Sequence, residues 1–350
     1  YAAKFFYNCL AATPEGAPAR TYFQERAILP KTAASFGLGF APNSWRALIE
    51  HMKPLGFDEN ELVDFGLATI RDNRYMDKFR NRVMFPIIDV RGNVIGFGGR
   101  VMDDSKPKYL NSPETAAFNK RFNLFALNFA KNSKSGSLIL VEGYMDVISL
   151  HQVGINSAVA TLGTALTEEQ ARLIARYAKD VILCYDTDEA GVKATMRAID
   201  IFSKTDVRVK VLSLSGAKDP DEYIKSHGGV KKAVPATMFR INALKRQFDI
   251  DNNIDDKIRF ISEAAQILLS TNNMVEVDTY ADMLSKNYEI KKESIYAEIQ
   301  KLQGKKERQE KSRIVHKTAN AGVTRSAPTG VAERALPGRN AAATPLEKAE

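Results

Sequence analysis

The chain is poor in the residues that staple, ligate or anchor a protein. Its 350 residues include 2 cysteines and 4 histidines. The cysteines, Cys9 and Cys184, fit a reducing compartment, and Cys184 lies in an apolar run where it is expected to be core. The histidines are scattered, so no zinc-ligand spacing exists, and His151, on a short amphipathic segment, is expected to be structural. No apolar run approaches the roughly 20 residues that span a bilayer, so no membrane association is expected. The start, YAAKFFYNCL, has no initiator Met and no signal-peptide architecture, and reads as a cytosolic protein cut from something longer. The phosphate-cradling pattern G-x-x-x-x-G-K-[ST] is missing, which argues against a P-loop ATPase or helicase motor. No G-x-S-x-G elbow occurs. G96-F-G-G-R100 is glycine-rich but lacks dinucleotide-binding spacing and a following helix.

What is present is the material of a soluble globular chain, 44% apolar and 26% charged, long enough for two or three domains. The net charge of +8 is unevenly spread. Residues 71–134 hold 13 Lys/Arg against 6 Asp/Glu, and residues 301–350 hold 11 against 5, which leaves the remainder negative. Basic stretches of this kind attract phosphate backbones, although plain solubilising charge has the same composition.

Organisation follows from periodicity. Residues 1–70 read as helices broken by Pro and Gly, with TYFQERAI and NSWRALIEHMKPLG as examples. In RVMFPIIDVRGNVIGFGGRVM, two strand-like runs flank R91-G-N93, a credible hairpin turn. From residue 136 strand and helix alternate: SLILV, YMDVISLHQVG, NSAVATLG, a helix opening at Thr167 with a Thr-x-x-Gln capping box, DVILCYD, AGVKATMRAIDIF, and VRVKVLSL as the last strand. Val192, Met196, Ile199 and Phe202 recur at helical spacing and are expected to be the buried face of their helix. The alternation predicts a parallel sheet covered by helices. Residues 236–303 return to helical periodicity, and beyond about 304 the Lys-, Ala-, Gly- and Pro-rich chain is expected to be disordered.

Ligands of an open parallel sheet sit beyond the carboxyl ends of its strands. Three strand exits carry acids there: SLILV leads to Glu142-Gly143, VILCY to Asp186 and Asp188, and VRVKVLSL to Asp219, Asp221 and Glu222. In extended backbone the two aspartates of D-x-D lie roughly 6.5–7 Å apart at Cα on one side of the strand. Such hard oxygen donors suit Mg²⁺ or Mn²⁺, and without a cation they repel one another. Gly143 and Gly191 are small where a backbone must turn or approach closely. Blander alternatives stand beside this reading: Asp188 as the N-cap of the next helix, D219-P-D-E as a turn, and Glu142 simply facing solvent.

These residues resemble a known family. L140-V-E-G-Y-M-D-V147, T161-L-G-T-A-L-T167, Y185-D-T-D-E-A-G191 and K218-D-P-D-E222 are similar to the TOPRIM domain of bacterial DNA primases of the DnaG type. F85-P-I, G96-F-G-G-R100 and K108-Y-L-N-S-P-E-T115 resemble that family's basic amino-terminal subdomain, and the likeness runs from about residue 20 to 300. It implies a mixed α/β (α+β) chain: a basic N-terminal α+β subdomain (1–135), a TOPRIM parallel-sheet domain (136–235), a C-terminal helical subdomain (236–303), and a disordered basic tail or linker (304–350). The family's zinc ribbon has no counterpart in these residues, and its helicase-binding domain is expected to be missing or truncated.

The resemblance implies a primase core that makes short RNA primers on single-stranded DNA from ribonucleoside triphosphates. Glu142, Asp186 and Asp188 are then the expected catalytic residues. Together with Asp219 and Asp221 they would be ligands of Mg²⁺ or Mn²⁺. Arg80, Arg82, Arg100, Lys106, Lys108, Tyr109 and Asn111 are the expected contacts to template or nucleotide. Implied partners are the replicative helicase, through that truncated domain, and a single-strand-binding protein. A TOPRIM nuclease or topoisomerase subunit, and a non-enzymatic DNA-binding recombination scaffold, are the alternatives.

Overall fold

The structure, a computed structural model, describes residues 1–322 except 213, 215, 216, 218, 219, 228–232 and 272. The chain divides into two compact units, Tyr1–Phe260 and Ile261–Glu350. The first opens with α1 (Ala2–Ala12), whose Ala2, Phe6, Cys9 and Leu10 form one buried stripe. Then come α2 (Ala17–Glu25) and α3 (Pro30–Ser35), each with proline in its first turn, where a missing N–H is tolerated. β1 (Gly39–Ala41), α4 (Ala47–Met52) and α5 (Glu59–Asp64) lead into a separate hairpin of β2 (Ala68–Arg71) and β3 (Arg74–Asp77).

β4 (Arg82–Ile88), β5 (Val94–Val101) and β6 (Tyr109–Asn111) complete a four-stranded antiparallel sheet in the order β1-β4-β5-β6. The expected turn at Arg91-Gly92-Asn93 joins β4 to β5. The Asp89 carboxylate holds it by accepting the N–H groups of Arg91 and Asn93, each at 2.9 Å. Successive residues of β4 point to opposite faces. Val83, Phe85 and Ile87 enter one core, and Met84 enters another with Phe6, Phe79 and Phe97.

The first of those cores is shared with a second sheet. α6 (Leu127–Ala130) precedes β7 (Ser137–Val141), α7 (Tyr144–Gln152), β8 (Ala158–Ala160), α8 (Glu168–Ala175), β9 (Asp180–Leu183), α9 (Glu189–Phe202) and β10 (Arg208–Leu212). α10 (Pro220–His227), β11 (Ala233–Pro235) and α11 (Ala236–Lys245) follow. The strand order is β11-β10-β9-β7-β8, with β10, β9, β7 and β8 mutually parallel. The predicted strand–helix alternation is therefore present, and Ile139, Val141, Val147 and Ile148 pack in one cluster with Val83, Phe85 and Ile87. His151 sits there as a structural residue, its Nε2 2.9 Å from the Ala158 carbonyl.

Three expectations are corrected. β10 is not the last strand: β11 pairs antiparallel on its open side, with Pro235 at the sheet edge where a missing donor does no harm. The buried face of α9 is Thr195, Ala198, Ile199 and Phe202, while Val192 and Met196 are half-buried, because small residues let the helix lie close to the sheet. Order also persists past residue 304. In the second unit, which α12 (Ile254–Leu269) enters, α13 (Met274–Tyr288) is followed by α14 (Lys292–Gly322). Lys, Glu, Gln and Arg are strong helix formers even where they supply no core. Residues 323–350 lie outside the described residues. Among the described residues no helix is long and apolar enough to cross a membrane.

Candidate active site

The chain goes from β7 to β8 on one side and returns to place β9 on the other, so the strand order reverses between β7 and β9. Crevices at such reversals, beyond the carboxyl ends of the strands, are where open α/β sheets bind ligands. Glu142 leaves the end of β7 and Asp186 the end of β9. Glu142 Oε1 accepts the backbone N–H of Asp186 at 3.3 Å. Glu142 is exposed to solvent, as its blander reading had it, yet partial desolvation in the crevice pushes its carboxyl above its ordinary range, and the negative charges of Asp186 and then Asp188 push the same way, against the pull of the Asp186 N–H. At the neck between strand and site, Cys184 and Tyr185 are buried, and burial raises both their thiol and phenol. Cys184 is core, as expected.

Asp188 meets its N-cap reading. Its Oδ1 accepts the Gly191 N–H at 2.7 Å, which makes it the N-cap of α9, and its charge still reaches Glu142. Gly191 is required by close approach: a Cβ there would lie 2.1 Å from the Asp186 carbonyl oxygen. Helix α9 thus starts directly on the strand end that carries Asp186. Beside it a cavity of about 370 Å³ is lined by Glu142, Thr161, Thr164, Leu166, Tyr185 and Arg197.

Asp219 lies outside the described residues, as does the side chain of Asp221, which belongs to α10. Among the described residues no three acidic, histidine or cysteine side chains form a group that could hold a metal ion. The structure thus brings together Glu142 and Asp186, with Asp188 close enough to be felt. The chemistry of this donor set fits a hard divalent cation: the charges of Asp186 and Asp188 raise the proton affinity of the Glu142 carboxylate, and a cation between them removes that repulsion.

The basic side is built on the neighbouring sheet. β5 and β6 pair Gly98 with Asn111 and Arg100 with Tyr109. The Arg100 guanidinium lies 4.4 Å above the Tyr22 ring, and Tyr109 is 39% exposed. Lys106 and Lys108 are exposed on the loop before β6. Two expected contacts are corrected. Arg82 is buried, and its Nη1 donates to the carbonyls of Gly99 (3.1 Å), Pro107 (3.0 Å) and Lys108 (3.4 Å). It shapes the loop carrying Lys106 and Lys108 instead of meeting phosphate, because β4 is covered on both faces. Asn111 is likewise engaged inward. Its Nδ2 donates to the Leu162 carbonyl and its Oδ1 accepts from the Tyr144 hydroxyl, both at 2.7 Å.

Arg80 sits elsewhere, stacked 3.8 Å over the ring of Trp45 and donating to the Asp77 carbonyl at 2.7 Å. Trp45 is the only tryptophan in the chain and is 56% exposed. Together with Arg71, Arg74 and Tyr75 it lines a surface depression of about 750 Å³. Burial lowers the Lys78 amine below its usual range, and the positive charge of Lys120 lowers it further. Trp45, Arg71, Arg74, Lys78 and Lys120 were not singled out from sequence. The available signal was a lone tryptophan upstream of the basic run.

Comparison with known proteins places these features in a family. Residues 5–131 match the DNA primase catalytic core, N-terminal domain, and residues 139–224 a Toprim-like domain. Residues 237–293 match the DnaB-helicase binding domain of primase, so the expectation that this domain is missing or truncated is overturned. Its helices carry no short motif by which sequence reading could have found it. The DNA primase of Clostridium acetobutylicum is 44% identical over 304 residues, covering 84% of this chain and 50% of that protein. The chain spans about half the length of the curated relatives it matches. Among solved structures, a DNA primase domain from Pseudomonas aeruginosa aligns with a TM-score of 0.73 at 35% identity, covering 85% of this chain and 97% of that one. A DnaG primase catalytic domain bound to single-stranded DNA aligns at 0.69 and 34%, covering 81% and 95%. The chain belongs to the DnaG-type family of bacterial DNA primases.

Proposed function

We propose that this chain is a primase core that joins ribonucleotides into short RNA primers on a single-stranded DNA template. The observation that carries the reading is the Glu142–Asp186 pair at the strand-order reversal, with the charge repulsion felt at Glu142, in a chain whose residues 5–131 match a primase core domain. Primer synthesis is phosphoryl transfer: a 3′-hydroxyl attacks the α-phosphate of a nucleoside triphosphate and pyrophosphate leaves. Positioning and charge neutralisation are what the protein must supply. Glu142, Asp186 and Asp188, with Asp219 and Asp221, would hold Mg²⁺ or Mn²⁺. Such an ion supplies Lewis-acid neutralisation of phosphate charge when bound.

The remaining work falls to the chain's own groups. Arg100, Lys106 and Lys108 offer cations to the triphosphate or the template backbone, beside the Tyr109 ring. Trp45, with Arg80 stacked on it, offers a platform for a template base; Arg71 and Arg74 of the same depression, with Lys78 and Lys120, offer cations to phosphates. The single-stranded DNA in the solved relative supports carrying that ligand over to this chain. The division of labour is that residues 1–135 guide DNA and residues 136–235 carry the chemistry. Residues 236–303 overlap the helicase-binding match, which supports contact with the replicative helicase.

The test is primer synthesis with single-stranded template, labelled ribonucleotides and Mg²⁺ or Mn²⁺. Glu142→Gln and Asp186→Asn are each expected to lower it at least 100-fold, with far-ultraviolet circular dichroism unchanged. Normal dinucleotide formation by either variant, or cut DNA in place of new RNA, would overturn the reading.

A further inference from the structure

Four segments stood out in the sequence, yet much of what they contain touches neither acid pair nor solvent. G96-F-G-G-R100, K108-Y-L-N-S-P-E-T115, L140-V-E-G-Y-M-D-V147 and T161-L-G-T-A-L-T167 meet at one joint, and Asn111 is its centre. The Asn111 Nδ2 donates to the carbonyl of Leu162, in the loop after β8, and its Oδ1 accepts from the hydroxyl of Tyr144, in the first turn of α7. A carbonyl can only accept, so the Leu162 oxygen fixes which end of the amide faces it. The Tyr144 ring is 4% exposed, stacks on Phe85 at 5.0 Å, and meets Phe125 edge-on at 4.7 Å.

Two glycines leave room for this joint. Gly98 is the cross-strand neighbour of Asn111, and a Cβ there would lie 2.5 Å from the Tyr144 ring. Gly163 follows Leu162 with a positive φ of +69°, and a Cβ on it would lie 2.8 Å from the Asn111 Nδ2. The loop and the sheet are thus cut to receive one amide. That loop also supplies Thr161, Gly163, Thr164 and Leu166 to the cavity that Glu142 lines.

We propose that Asn111 is a positioning residue, the bolt that fixes the loop after β8 and the start of α7 to the edge of the basic sheet. It thereby sets the distance between the acidic strand ends and the strand that carries Arg100. The functional part of this inference rests on the primase reading, since only a ligand held by both sheets makes their separation matter. The two inward bonds use one N–H and one lone pair of the amide, so a direct template contact by Asn111 would fall to its second N–H or second lone pair and would show as lost affinity.

The experiment uses Asn111→Asp, which keeps the shape but sets an oxygen against the Leu162 carbonyl, and Tyr144→Phe, which removes one hydrogen bond and keeps the ring. In hydrogen exchange of the full chain, amides of residues 161–166 are expected to exchange on the order of tenfold faster in Asn111→Asp. The increase should be smaller in Tyr144→Phe, and the β2–β3 hairpin should be unchanged in both. Primer synthesis should lose about tenfold in kcat with KM for nucleotide within about twofold, and single-stranded DNA affinity should stay within about twofold. If Asn111→Asp does not fold, Tyr144→Phe decides by the same exchange measurement. Unchanged exchange in 161–166 overturns the bolt. A fall in DNA affinity that tracks the loss of activity overturns it too, by marking Asn111 as a direct ligand. If the unaltered chain makes no primers, the primase reading fails while the exchange result still decides the joint.

Discussion

Glu142 carries a charge that the surrounding fold opposes. Its folded carboxyl lies above the ordinary range, chiefly through partial desolvation and then through Asp186 and Asp188. A carboxyl raised by folding contributes stability that is present at low pH and lost as pH rises through its folded value. Glu142 is solvent-exposed, so screening keeps the effect small: Glu142→Gln in the presence of a chelator is expected to raise Tm slightly at pH 8, and the gain should vanish as pH falls below the ordinary glutamate range, where both states are protonated. Added Mg²⁺ should then stabilise the unaltered chain by binding and leave the Gln variant where it was. Thermal melts from pH 4 to 8, with and without Mg²⁺, check this. Equal melting of the two proteins at every pH would remove the electrostatic basis of the site. Arg82 contrasts with it, because that guanidinium is buried but has three carbonyls to meet, so its role is structural.

At the scale of elements, α9 joins stability to chemistry through one side chain. Asp188 caps the helix by accepting from Gly191 and adds to the negative charge at Glu142. The two roles separate by substitution. Asp188→Ala should cost about 1 kcal/mol in urea unfolding, whereas Asp188→Asn, an equally good cap, should cost almost nothing. If the charge matters, Asp188→Asn should still lose most primer synthesis. A stable, fully active Asn variant would reduce Asp188 to a cap. Elements with a local cause were legible in the sequence: the Thr167–Gln170 box, the Asp89-anchored turn and the apolar runs of β7 and β9 all follow from nearby residues. Elements set by distant partners were not. Three residues ending in proline do not announce β11, and α9 turns Thr195 and Ala198 inward because the sheet asks for small side chains. The acids at the strand ends could be read from spacing, but the inward use of Asn111 could not. It depends on a carbonyl 51 residues away.

Over the whole molecule, charge is divided between two basic runs, 71–134 and 301–350, and an otherwise acidic remainder, and the two larger sheets of the first unit share one core. Binding of single-stranded DNA should accordingly have two separable parts. Phosphate contacts release counterions, so affinity falls with salt, with a slope of about −0.7 for each phosphate neutralised on a single strand. Stacking on an aromatic ring releases no ions and contributes about 1–3 kcal/mol per base. On the proposed reading, Trp45, exposed with Arg80 over its ring, would supply the second part and Lys78 the first. Trp45→Ala should weaken binding about tenfold at every salt concentration and leave the slope unchanged. Lys78→Ala should weaken binding most at low salt and make the slope shallower by about 0.7. Fluorescence anisotropy of a labelled oligonucleotide between 50 and roughly 300 mM salt resolves the two cases. A Trp45→Ala line that changes slope would mean that the ring acts only by holding Arg80 in place. The platform would then be an arginine site, with the indole as its support.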